Sequence, residues 1–144
     1  MKVEFHSGVT DKLAAARRFL QKAHSAGAKV VVCGERQALD RLDSALWTAD
    51  AHSFLAHWRV KAAAPPSTMA RTPIWLVDDP ALVQPRELLL NLGPGLAPGW
   101  EQFARIVEIV SAEAEDASAA RRRWREYGLR DGVELSHSPR GVAA

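Results

Sequence analysis

The spacing of apolar residues divides the first third of the chain into alternating strands and helices. Residues Val3 to His6 alternate between apolar and polar, which indicates a short strand. In TDKLAAARRFLQKAHSAG the apolar residues recur at helical spacing, with Thr10 as the candidate N-cap and Gly27 as the stop. The run KVVVCG indicates a strand buried on both faces, and ERQALDRLDSALW resumes helical spacing. This order predicts a βαβ unit with parallel strands.

The second half of the chain predicts further strands and one long helix. IWLVDD and ELLLNLG are candidate strands, FARIVEIV favours a strand in its second half, and a helix is predicted from about Glu113 to Leu129. TADAHSFLAHWRV has no clear period, and KAAAPPSTMARTP is typical of a surface loop. The tail is expected to be loose from about residue 136. The elements together predict a single α/β domain over residues 1–144, with three layers and a mainly parallel central sheet flanked by helices.

Composition places the chain among soluble globular proteins. Of its 144 residues, 47% are hydrophobic and 25% charged, and the net charge is only +2. That excess is too small to predict a protein that coats nucleic acid, so the clustering of charge matters more than its sum. A single cysteine, Cys33, fits a reducing compartment, and no apolar run is long enough for a membrane span. We therefore expect a cytoplasmic protein that does not bind membranes.

The sequence contains no arrangement typical of an active site. Phosphate-binding loops, a GxSxG elbow and an HExxH motif are missing from the sequence. VCGERQA leads from a strand into a helix through one glycine, but Glu35 at that point would repel phosphate. His52 and His57 could be spaced as metal ligands, but they have no acidic or cysteine co-ligands nearby. We expect no catalysis, no metal and no cofactor.

Two stretches of the sequence resemble the chi subunit family of bacterial DNA polymerase III. In CGERQALDRLDSALWTADAHSFLAH the matching positions run from Cys33 and Glu35 through Leu42, Asp43, Leu46 and Trp47 to Ser53, Phe54 and His57. The second stretch, RELLLNLGPGLAPGWEQFARIVEIV, is similar to the family's strand, loop and strand, with its V-[DE]-x-V pattern. Length and element order agree as well, so the resemblance covers nearly the whole chain.

The resemblance implies a Rossmann-like α/β domain without catalytic activity, which serves as a subunit at the clamp-loader end of the replicase. Such subunits join the psi subunit, and they bind the acidic C-terminal tail of single-stranded DNA-binding protein (SSB). That tail carries a run of aspartates and ends in Ile-Pro-Phe, so the subunit links the polymerase to coated template and meets DNA only indirectly.

The helix within EDASAARRRWREYGLRDG is the predicted site for the SSB tail. An apolar stripe of helical period is predicted to face the core, formed by Ala117, Ala120, Trp124 and Tyr127. Arg121 and Arg125 border this stripe on the side of Trp124, whereas Arg122 and Arg123 are predicted to point outward. A solvated basic face that complements the helix dipole is the other interpretation of these arginines.

An acidic peptide that ends in Phe needs guanidinium groups for its carboxylates and an apolar pocket for its ring. The resemblance assigns these roles to the basic and aromatic positions of this helix and to a valine at a strand end. They correspond to Arg121, Trp124, Arg125 and Val110. Here Trp stands where the family commonly has Tyr, and Arg where it has Lys.

The resemblance also implies a contact with the psi subunit through Trp47 and Phe54. Core packing explains Trp47 equally well, since it ends an apolar stripe. A different function stays open as well, namely a nucleotide- or single-stranded nucleic-acid-binding Rossmann-like domain that uses the same basic helix.

Overall fold

The computed structural model describes residues 1–47, 55–60 and 71–139. They form a seven-stranded sheet in the order β3-β4-β2-β5-β6-β1-β7. The strands are β1 (Lys2–Val9), β2 (Val30–Cys33), β3 (His57–Val60), β4 (Ile74–Val77), β5 (Leu88–Asn91), β6 (Arg105–Ser111) and β7 (Glu134–Ser138). The helices are α1 (Lys12–Ser25), α2 (Arg36–Trp47) and α3 (Ala114–Gly128), with short 3-10 helices at Pro80–Leu82 and Trp100–Gln102.

Every described strand pair is parallel, which confirms the predicted α/β fold. The strands β2, β4 and β5 are buried at every position, because helices and loops cover both faces of the sheet. Helices α1 and α2 lie on one face and α3 on the other, so the sheet separates two apolar clusters. This is the three-layer arrangement that the alternation of strands and helices predicted.

The boundaries of α1 follow from local chemistry. The N-cap is Asp11 rather than the predicted Thr10, because the Asp11 carboxylate accepts a hydrogen bond from the Ala14 amide at 3.1 Å. The helix ends at Ser25, and Gly27 has a φ of +79°, a left-handed conformation that glycine adopts without steric cost. The prediction that Gly27 stops this helix is confirmed.

Two parts of the chain differ from the sequence-based expectations. The aperiodic segment before residue 61 contains β3, an edge strand only four residues long that pairs with β4. The expectation of a loose tail from about residue 136 is wrong for residues 136–138, which belong to β7 and pair with β1. Apolar and polar residues alternate only weakly in β7, because most of this strand is exposed. Its position is fixed by the pairing with β1.

Candidate functional site

Helix α3 presents two different faces. Its buried residues are Ala119, Ala120, Arg123 and Tyr127. Arg121 and Arg125 are exposed, and Trp124 keeps 36% of its surface accessible. The prediction that Arg123 points outward is wrong, because its side chain is only 2% exposed.

Arg123 is buried because it pairs with a carboxylate in the core. Glu108 of β6 is fully buried, and its Oε1 accepts a hydrogen bond from Arg123 Nε at 3.1 Å. The Tyr127 hydroxyl donates to Glu108 Oε2 at 2.6 Å, and Asn91 Nδ2 donates to both carboxylate oxygens at 3.1 and 3.0 Å. Arg123 Nη1 also donates to the Pro94 carbonyl at 2.8 Å. We call Asn91, Glu108, Arg123 and Tyr127 the buried network.

The electrostatics of the buried network depend on the groups that surround the Glu108 carboxylate. Burial raises the pKa of Glu108, while the Arg123 guanidinium and the hydrogen bonds from Tyr127 and Asn91 act in the opposite direction. Burial also raises the pKa of Tyr127, so its hydroxyl keeps the proton that it donates. The network fixes α3 against the sheet, and thereby fixes the exposed face of that helix.

A hollow of about 410 Å³ lies beside the exposed face of α3. Three of the four residues predicted for the SSB-tail site line it, namely Val110, Arg121 and Trp124. Arg125 is exposed on the same helix but is not among the lining residues. The structure therefore brings together one guanidinium, one indole ring and the strand-end valine.

Residues from β1 and from the neighbouring edge strand β7 complete the hollow. Phe5 and Ser7 of β1 and His137 of β7 line it opposite α3. The Phe5 and Trp124 rings meet edge to face with centroids 5.3 Å apart, and the His137 ring lies 6.4 Å from that of Trp124. Ser7 Oγ and His137 Nε2 are hydrogen-bonded at 2.6 Å. Alternation in β1 could have placed Ser7 on the same face as Phe5, but no sequence signal indicated that β7 would lie beside them.

The residues assigned to the psi contact lie elsewhere, at the end of α2. Trp47 is 61% exposed, and its ring centroid lies 5.0 Å from that of His57. His57 is itself held by Asp43 Oδ1 at 2.9 Å and by the Leu55 carbonyl at 2.8 Å, so it has a structural role. Phe54 lies outside the residues that the structure describes. The exposure of Trp47 argues against core packing as the reason for this tryptophan.

The crevice where Rossmann-like folds bind ligands holds one of the protein's own carboxylates. Neighbouring strands β1 and β6 lead into helices on opposite faces, which places the crevice at their carboxyl ends. There Asp116 Oδ2 accepts hydrogen bonds from the Ser111 amide at 2.7 Å and from Lys12 Nζ at 3.0 Å. Partial burial would raise the pKa of Asp116, but these donors outweigh it and hold the pKa below its usual value. The position that would suit a phosphate is already taken by an anion.

The Cys33 thiol lies in an environment that does not activate it. Cys33 is buried at the end of β2, and burial raises its pKa to about 12, which leaves the thiol protonated at neutral pH. None of the helices that the structure describes is long and apolar enough to cross a membrane.

The family model and a curated relative point to the same family. Residues 1–135 match the family described as DNA polymerase III chi subunit, HolC. The DNA polymerase III subunit chi of Pseudomonas aeruginosa is 30% identical over 120 residues, which cover 81% of this chain and 78% of that protein.

A solved structure shares the fold without close sequence similarity. It is a Saccharomyces cerevisiae structure of Dbp5 bound to Nup159, Gle1, IP6 and ADP, matched with a TM-score of 0.60 and 7% identity. The match covers 96% of this chain but 41% of that one, and at this identity it shows the fold alone. The family match and the P. aeruginosa relative carry the assignment: the chain belongs to the DNA polymerase III chi subunit family, and is thus an accessory subunit of that polymerase.

Proposed function

We propose that this chi subunit is an adaptor that binds the acidic C-terminal tail of SSB in the hollow beside α3. In the clamp-loader complex it would thereby link the polymerase to template coated with SSB. The observation that carries this proposal is an apolar hollow with a guanidinium at its rim, formed by Val110, Trp124 and Arg121.

The hollow suits the aromatic end of such a tail. Its walls are mainly apolar, with Phe5, Val110, Ala120 and Trp124 among the lining residues. An apolar cavity of about 150 Å³ is enough to bind benzene, and the hollow of about 410 Å³ has room for a phenyl ring and part of the residue before it. Burial of that ring would supply most of the affinity.

The charges around the hollow suit the aspartates of the tail. Arg121 lies at the rim, and the exposed Arg125 extends the positive potential along the same helix. A planar guanidinium binds carboxylates through paired hydrogen bonds. We assign Arg125 a role in attracting the tail rather than in lining the pocket.

Nucleotide binding is the weaker alternative, because the crevice at the carboxyl ends of β1 and β6 is lined by several carboxylates. Glu35, Glu113 and Glu115 join Asp116 there. These groups would repel a phosphate, although Arg41 and Arg122 also line the crevice. The hollow beside α3 offers a better match between charge and shape.

A peptide titration tests the proposed function. A peptide with the aspartate run and Ile-Pro-Phe end should bind the purified protein, and removal of the Phe should weaken binding by at least about tenfold, since the apolar contact is lost. Binding should also weaken as salt rises from about 50 to 300 mM, because screening reduces the attraction of the aspartates. Fluorescence anisotropy of a peptide labelled at its N-terminus measures both effects.

Equal affinity for the two peptides would contradict the proposal. In the same assay, a labelled oligothymidine measures direct binding of single-stranded DNA. Tight binding of the oligothymidine together with no binding of either peptide would favour the nucleic-acid-binding alternative.

We further propose that Trp47 contributes to a contact with the psi subunit. A tryptophan with 61% of its surface exposed is a typical centre of a protein interface.

Trp47→Ala should weaken co-purification with psi at least about tenfold while leaving the affinity for the SSB tail unchanged, because Trp47 is not among the residues that line the hollow. Trp58→Ala, at a half-buried tryptophan of β3, is the comparison variant. Undiminished binding of psi by the Trp47 variant would contradict the proposal.

A further inference from the structure

Helix α1 carries basic side chains on its exposed face and no acidic ones. Most of its apolar residues are buried against the sheet, whereas Arg17, Arg18 and Lys22 are exposed to solvent. The helix as a whole, Lys12–Ser25, contains no aspartate or glutamate. Since the net charge of the protein is only +2, this face is a local concentration of positive charge rather than part of a uniformly basic surface.

A shallow hollow on the same face is lined by hydrogen-bond donors. The described residues around it are Arg18, Gln21, Lys22, Ser25 and Ala26. Their helical spacing places them in a continuous row on the outside of α1. The guanidinium, amide, ammonium and hydroxyl groups all donate hydrogen bonds, and none of these residues carries a carboxylate. We call Arg17 and the residues of this hollow the α1 surface, whose donors are the groups that bind phosphate oxygens.

The neighbouring carboxylates are bound to other side chains and do not neutralise the α1 surface. Each acidic residue of β1 and α2 has its own partner: Glu4 binds Arg105, Asp40 binds Arg59 and Asp43 binds His57. Among the residues that the structure describes, Arg17 and Arg18 form no ion pair. Their charges are therefore available to a partner from outside the chain.

The helix dipole accounts for only part of this arrangement. Lys22 and His24 lie in the last turn of α1, where cations stabilise the C-terminal end of a helix. Arg17 and Arg18 lie in the middle of the helix, where the dipole has little effect. Because these adjacent cations have no ion pair within the described part of the protein, an external anion is the better explanation for them.

We infer that the α1 surface binds the phosphate backbone of duplex DNA, and that it does so without reading the base sequence. Guanidinium and ammonium groups contact phosphates, and such contacts position a protein on DNA without specifying bases. Phe19, the aromatic residue of α1, is buried, so this surface lacks the exposed rings on which single-stranded DNA stacks its bases. A duplex instead offers a dense array of phosphates, with one charge per about 1.7 Å of its axis.

The α1 surface lies apart from the hollow beside α3. Helices α1 and α3 cover opposite faces of the sheet, and none of the described residues lines both sites. The inference is therefore independent of the proposed function. An accessory subunit of a DNA polymerase works close to duplex DNA, and this contact would be direct, in contrast to the indirect one that the family resemblance implies.

A titration with labelled duplex DNA tests the inference. The purified protein should bind a mixed-sequence duplex of about 20 base pairs with a Kd of about 10–100 µM at about 20 mM salt. The logarithm of the binding constant should fall against the logarithm of the salt concentration with a slope of about −2 to −4, which corresponds to a few phosphate contacts. Oligothymidine of the same length should bind at least about threefold more weakly, because it has fewer charges per unit length and finds no rings to stack on. Fluorescence anisotropy measures each affinity.

Replacement of both arginines should remove most of this binding. Arg17→Gln combined with Arg18→Gln should weaken duplex binding at least about fivefold and reduce the salt slope by about 1–2, since each lost phosphate contact removes about 0.9 from it. Glutamine favours helices nearly as well as arginine, so the fold should be retained, and thermal unfolding checks this. Arg122→Gln combined with Arg130→Gln is the matched control, because it removes the same charge from exposed residues outside the α1 surface and should change the affinity by less than about twofold.

Three results would overturn the inference. Equal losses in the two double variants would show a response to net charge alone, tighter binding of oligothymidine than of the duplex would indicate a single-strand site, and no duplex binding at low salt would leave nothing to explain. A saturating amount of SSB-tail peptide should change the duplex affinity by less than about threefold, because the two sites are separate. Displacement of the duplex by the peptide would place the DNA at the hollow and would also overturn the inference. Failure of the tail peptide itself to bind would overturn the proposed function alone.

Discussion

Arg123→Ala is expected to lower the free energy of unfolding by about 3–5 kcal/mol, the range found when one partner of a buried ion pair is removed. The substitution leaves the fully buried Glu108 carboxylate without its cation, and it frees the Pro94 carbonyl that Arg123 Nη1 binds at 2.8 Å. Urea unfolding followed by circular dichroism measures the loss. Arg122→Ala is the matched control, because Arg122 is exposed on the same helix and should change stability by less than about 0.5 kcal/mol.

A double variant distinguishes loss of the ion pair from loss of packing. Glu108→Leu combined with Arg123→Met removes both charges and keeps apolar volume. Its loss in the free energy of unfolding should therefore be smaller, by about 0.5–3 kcal/mol, than the sum of the losses of the two single variants. An Arg123→Ala protein as stable as the Arg122→Ala control would show that the buried network does not hold α3.

Arg121→Glu is expected to weaken binding of the SSB tail by at least about tenfold, because it replaces the cation at the rim with a group that repels aspartates. Arg125→Glu should have a smaller effect, since Arg125 is not among the residues that line the hollow and acts on the tail through solvent. Anisotropy titration at about 100 mM salt measures both affinities.

Arg122→Glu controls for the change in net charge. Arg122 lines the crevice beside Asp116 on the other side of α3, and its reversal should change the affinity by less than about twofold. Should Arg122→Glu weaken binding as much as Arg121→Glu, the tail would respond to the overall charge of the protein rather than to the hollow. Thermal unfolding of each variant checks that the fold is retained.

Local patterns predicted most of the fold, because each signal lies within a few residues. Three buried valines in β2 and the apolar runs of β4 and β5 are sufficient to indicate strands of a parallel sheet. The pairing of β7 with β1 could not be predicted in the same way. It depends on contacts between the two ends of the chain, and β7 itself contains mostly polar residues.

In the candidate site, too, the residues on locally recognisable elements could be predicted and those brought in by strand pairing could not. Val110, Arg121 and Trp124 lie on elements that could be recognised from the sequence, whereas Ser7 and His137 join them only through strand pairing. The burial of Arg123, by contrast, could have been predicted from its angular position around the helix. At helical spacing it lies only about 40° from Tyr127, which was predicted to face the core. Its charge favoured an outward orientation, and the lone Glu108 within an apolar strand was the signal that a buried partner was needed.

The position of β1 in the sheet has a consequence for biosynthesis. This strand is made before the other strands of the described sheet, yet it pairs with β6 and β7, which follow it at a great distance in sequence. Contacts between residues so distant in sequence slow folding. The apolar side chains of β1 therefore lack their partners until β6 and β7 have been translated, and we expect the nascent chain to depend on chaperones at the ribosome for that interval.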